Sequence, residues 1–106
     1  MRNLRKEPRR QIGSTAEFEF AGTYYNGMVS NSSKSGLLID LDKHPPEGIH
    51  EGNHVDVHLC DIYSDIKFAF SSMVVRWTDH EIVVEFVQPL TDTQKNFLDR
   101  WLEWQS

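Results

Sequence analysis

Between Thr15 and Val87 apolar side chains recur at every second position, in short runs broken by turn residues, and a helical repeat enters only after Leu90. Period-two alternation marks strands with one face buried. Ala16, Phe18 and Phe20 face one way and Glu17 and Glu19 the other, and Ala21-Gly22-Thr23 reads as a turn. Tyr24 to Ser30 forms a second strand carrying Tyr25, Met28 and Val29, with a bulge expected at Asn26-Gly27. The polar stretch Asn31 to Gly36 is predicted as a loop, followed by an apolar strand from Leu37 to Leu41. Pro45, Pro46 and Gly48 interrupt the chain before His54 to Cys60, where Val55, Val57 and Leu59 point inward. Lys67 to Thr78 and Glu81 to Val87 make a last pair joined at Asp79-His80, with Phe68, Phe70, Met73, Val75 and Trp77 as core candidates.

The period then changes. Thr91 and Gln94 stand at capping-box spacing, and Phe97, Leu98, Trp101 and Leu102 form a stripe on one helical face. Six strands and one helix leave sheet edges that closure removes best. The expected fold is mainly β: a six-stranded antiparallel barrel over residues 15–88, with residues 89–106 as a helix across one end. Residues 1–14 are expected to be a flexible arm. A chain of 106 residues supports one core and no second domain.

Apolar runs as short as Leu37-Leu38-Ile39 fall far below what a membrane-spanning helix needs, and the basic start leads into Gln11 to Thr15 instead of an apolar leader. Neither membrane insertion nor a secretory leader is expected. Cys60 is the single cysteine, so no internal disulfide can form, which suits a reducing compartment and a cytoplasmic location. The formal charge of −5 hides a division: residues 1–10 hold five basic groups against Glu7, a local +4, while the rest carries −9. An acidic body argues against coating DNA, which takes a broad basic surface. A short basic arm suits a compact anion.

Two constellations carry chemistry. In the arm, Arg5 and Arg9 are four residues apart, and Pro8 favours extended backbone before it, so both guanidiniums can converge on one ligand. Arg2, Lys6 and Arg10 are secondary cations. In the loop, Asn31 offers a donor and an acceptor, Ser33 a hydroxyl, and Gly36 a positive φ or close ligand approach. Taken singly, the first is a solubilising tail and the second a chain reversal.

Together and in this order they resemble the PilZ domain, the bacterial receptor module for cyclic di-GMP. Arg5 and Arg9 match its first motif, Asn31, Ser33 and Gly36 its second, and Glu85-Phe86 and the closing helix are similar to the family's pattern. The resemblance implies a six-stranded barrel with a C-terminal helix. It implies that Arg5 and Arg9 grip phosphate and the O6/N7 edge of guanine, that Asn31 and Ser33 hold a guanine edge, and that Gly36 shapes the loop. The chain departs from the pattern in having Asn31 for the commoner aspartate, Ser32 for an apolar residue, Val84 where glycine often stands and Leu4 in place of a further arginine. The missing cation favours one bound ligand over a stacked pair.

Cyclic di-GMP is thus the expected ligand, with no further cofactor and with a downstream protein as reader of the bound state, the chain being a monomer or weak dimer. Two alternatives are a PilZ-like adaptor working through protein contacts alone and a small-barrel binder of single-stranded nucleic acid. The second calls for exposed aromatics in a basic groove, whereas the aromatics here alternate inward. His54, Asp56 and His58 alternate on one strand face, with His50 nearby, but no closed tetrahedral set is evident and no metal is expected. No Ser/His/Asp triad can be assembled, so enzymatic activity is not expected.

Overall fold

The computed structural model of the chain describes residues 15–60 and 67–105. Alternation produces the expected hairpins: β1 (Thr15–Phe20) and β2 (Thr23–Ser32) meet at a two-residue turn in which Ala21 and Gly22 both adopt positive φ, 52° and 84°. Both central residues in the left-handed region define the turn type that matches strand twist. β3 (Gly36–Leu41), β4 (His54–Cys60), β5 (Lys67–Trp77) and β6 (Glu81–Phe86) complete an antiparallel barrel closed in the order β1-β2-β3-β6-β5-β4.

The inward set is Ala16, Phe18, Leu37, Ile39, Val55, Val57, Leu59, Phe70, Val74, Ile82, Val84 and Phe86, all buried. Ser72 also faces in, its hydroxyl satisfied by donating to the Phe70 carbonyl at 3.0 Å. That corrects the expected core of β5. Met73 points outward and is 43% exposed, its neighbours Ser72 and Val74 taking the inward places. The ladder to β6 shifts register between Val74 and Arg76, so Val75 is an extra residue. Beyond it the phase reverses, and Trp77 returns to the side of Ile82 at the strand end, where it is 42% exposed.

The expected bulge at Asn26-Gly27 is also displaced. Gly27 pairs regularly with Ala16 and Leu41, and the β2/β3 register shifts instead between Val29 and Asn31. Glycine at 27 serves close approach: a Cβ there would collide with the Asp40 carbonyl and the Ile39 side chain.

α1 (Asp92–Gln105) begins with a reciprocal cap. The Gln94 amide donates to Thr91 Oγ1 at 3.1 Å and the Thr91 amide to Gln94 Oε1 at 2.9 Å, while Gln94 Nε2 reaches the Ala69 carbonyl of β5 at 2.9 Å. Phe97, Leu98 and Trp101 are buried and Leu102 packs against them, with the Phe97 ring stacked on Phe68 at 4.2 Å between centroids. Thr91→Ala is expected to cost about 1 kcal/mol. A thermal melt should show it as a fall of roughly 4–8 °C.

Candidate functional site

Asn31, Ser33 and Gly36 come together at one end of the barrel, and the local backbone explains how. Along β2 the odd residues Tyr25, Gly27 and Val29 face inward, so an unbroken strand would bury Asn31. Ser30 is the extra residue at the register shift, and it reverses the phase. Asn31 therefore pairs with Leu38 on the outer face, and Ser32 turns in opposite Leu37. Asn31 and Ser32 thus belong to the strand, not to the loop expected from their polarity.

The loop itself is a tight reversal. The Ser33 amide donates to the Gly36 carbonyl at 3.0 Å, and Ser33 Oγ accepts from the Ser35 amide at 3.1 Å while lying 3.1 Å from Ser35 Oγ. Asn31 Oδ1 accepts the Ser32 amide at 2.8 Å, which fixes the side-chain amide and leaves Nδ2 unbonded among the described residues. Gly36 has no positive φ. Its reason is contact with β6: a Cβ would strike the Val84 carbonyl and come within 3.2 Å of the Glu85 Cα. Gly36→Ala is expected to destabilise by about 1–3 kcal/mol as β3 and β6 are pushed apart. A lowered urea midpoint would show this, and an unmoved midpoint would mean that β6 yields freely.

Two further pieces meet this loop, and a third lies at the same end. The Phe86 amide donates to the Ser35 carbonyl at 2.8 Å, tying the loop to the last strand. Lys34 Nζ lies 4.0 Å from Asp99 Oδ1 of α1, both side chains well exposed, so the pair orients loop and helix more than it stabilises them. Lys34 carries no motif, and nothing in the sequence marks it. Finally, Thr15 pairs with Met28, three residues before Asn31, so the chain preceding β1 joins the barrel at this same end. Arg5 and Arg9, with Arg2, Lys6 and Arg10, lie outside the described residues.

The His54, Asp56 and His58 face borders a different feature. β1 and β4 pair through Thr15, Ala16 and Glu17. A groove of about 510 Å³ lies along this seam, lined by Glu17, Glu19, Tyr24, His54, Asp56 and His58. His54 Nε2 is 3.5 Å from Asp56 Oδ1, and among the described residues no three His, Cys, Asp or Glu side chains form a metal-binding group. Lys67 Nζ bonds Glu17 Oε2 at 2.9 Å, and this hydrogen bond, aided by the carboxylate's charge, raises the lysine pKa above its ordinary value. Among the described residues no helix is long and apolar enough to cross a membrane.

Compared with known families, the chain matches the PilZ domain over residues 3–104. A search of curated proteins found no match. PilZ domains are generally receptors for cyclic di-GMP. The match spans nearly the whole sequence and agrees with a closed six-stranded barrel bearing one C-terminal helix: the chain belongs to the PilZ domain family.

Proposed function

We propose that this chain is a receptor that binds cyclic di-GMP between its basic arm and the Asn31–Gly36 end of the barrel, and that it catalyses no reaction. The observation that carries this reading is the bulge at Ser30, which turns Asn31 outward beside Ser33 at the end where the arm joins β1. Asn31 Nδ2 is a donor suited to the O6 or N7 acceptors of guanine, and its orientation is set in advance by the bond from the Ser32 amide. The Ser33 and Ser35 hydroxyls share one hydrogen bond, so the other hydroxyl proton remains to be given to the ligand. Arg5 and Arg9 supply planar cations that bind phosphate bidentately and read guanine. Arg2, Lys6 and Arg10 add attraction around them.

Ligand binding draws the arm onto the barrel. Because the loop touches both β6 and α1, the surface that changes includes the helix, and a partner protein reads it. With Leu4 before Arg5, one ligand binds per chain. Calorimetry with cyclic di-GMP, GTP and a short single-stranded DNA tests the reading. Cyclic di-GMP alone should bind, one per chain. Binding of all three would identify a nucleic-acid module, and binding of none an adaptor working through protein contacts.

A further inference from the structure

The second bulge, at Val75 in β5, does to Arg76 what the first does to Asn31. Residues 70, 72 and 74 face inward, so an unbroken strand would turn residue 76 in. The extra residue reverses the phase, and Arg76 emerges on the outer face paired with Val83. Val83 pairs with Leu38, and Leu38 with Asn31. Paired residues share a face. The four side chains therefore form one row across the outside of β2, β3, β6 and β5: Asn31, Leu38, Val83, Arg76.

The row has a distinct chemistry. Asn31 and Arg76 at its ends are exposed, and Leu38 and Val83 between them are half-buried and apolar. Arg76 forms no ion pair with any described residue, so all of its donors are uncommitted there. Three strand spacings separate the ends, about 14 Å along the sheet. Bulges re-aim side chains next to functional sites, and here two of them act on the same row from opposite sides.

Resting on the receptor reading above, we propose that Arg76 is a specificity-determining contact: it reads the second guanine of the ligand, whose body lies over Leu38 and Val83 while Asn31 holds the first. A guanidinium donates bidentately to the two acceptors O6 and N7 of guanine. Adenine presents an N6 donor in place of O6, so the same arginine rejects it.

Binding of cyclic di-GMP and cyclic di-AMP to the full chain, to Arg76→Ala and to Arg76→Gln tests this. The expected result is a loss of roughly tenfold or more in affinity for cyclic di-GMP in both variants. The weaker affinity for cyclic di-AMP should change little, and the thermal midpoint of the free protein should stay put. In the unaltered chain the Leu38 and Val83 methyl resonances should shift on adding cyclic di-GMP. Wild-type affinity in both variants, or unmoved methyls, would overturn the assignment while leaving the receptor reading intact. An equal loss for both dinucleotides would also overturn it, marking a phosphate contact in place of base reading. Failure of the unaltered chain to bind cyclic di-GMP would remove both.

Discussion

With Arg5→Ala and Arg9→Ala combined, cyclic di-GMP should no longer bind measurably, while the free protein melts where the unaltered chain does. A hydrogen bond to a charged group contributes about 1.5–3 kcal/mol. Each single substitution should therefore weaken binding by roughly ten- to a hundredfold, and the pair by up to the product of the two. Side chains that share a ligand couple, so the double variant need not reach the full sum. Stability should be spared because both arginines precede β1 in the chain, and among the described residues the ladder begins with Thr15 paired to Met28 and to Cys60. Titration calorimetry and a melt on the same samples separate the two quantities. Unchanged affinity in the double variant would end the assignment of the arm.

Trp101→Ala should show the reverse pattern. Trp101 is fully buried and belongs to the core cluster with Phe97 and Leu98. Truncating a core tryptophan costs about 3–5 kcal/mol, a large part of the roughly 5–15 kcal/mol that keeps a domain folded. The melting midpoint should drop by well over ~10 °C. Because α1 also meets the loop through Asp99 and Lys34 and holds β5 through Gln94, loosening it should weaken ligand binding as a secondary effect. A midpoint within a few degrees of the unaltered chain would show that the helix packs without supporting the barrel.

Much of the fold was readable because the strands are short and strongly patterned. His54 to Cys60 alternates without interruption, and β4 has those bounds. Thr91 and Gln94 form the helix cap that their spacing announces, since a capping box is a local interaction and needs no tertiary information. What escaped was phase. Alternation fixes which residues share a face only until an extra residue enters, and neither Ser30 nor Val75 differs in composition from its neighbours. Bulges are settled by the partner strand: the sequence does not mark where β5 changes phase, so Met73 reads as inward, while the polarity of Asn31 reads as loop although β2 continues through it. Glycine is ambiguous at 27 and at 36, because the same residue serves a bulge, a left-handed turn or a close approach: neither the bulge expected at 27 nor the positive φ offered at 36 is found, and both glycines lie against a facing strand. The site motifs were legible as residue types in order. That the loop motif lies at the end where β1 begins depends on the ladder pairing Thr15 with Met28, which only the facing strands reveal.

The displaced phase at Ser30 and Val75 also bears on how this surface can change over time. A substitution at Asn31 or Arg76 alters one contact and leaves the rest of its strand where it was. Removing a single residue at either bulge would carry every side chain beyond it to the opposite face, turning Asn31 or Arg76 inward and its neighbour, Ser32 or Trp77, outward. The binding face is therefore sensitive to chain length as well as to residue identity: related sequences can exchange the polar residues of these strands one at a time, but an insertion or deletion there rewrites the whole face in one step.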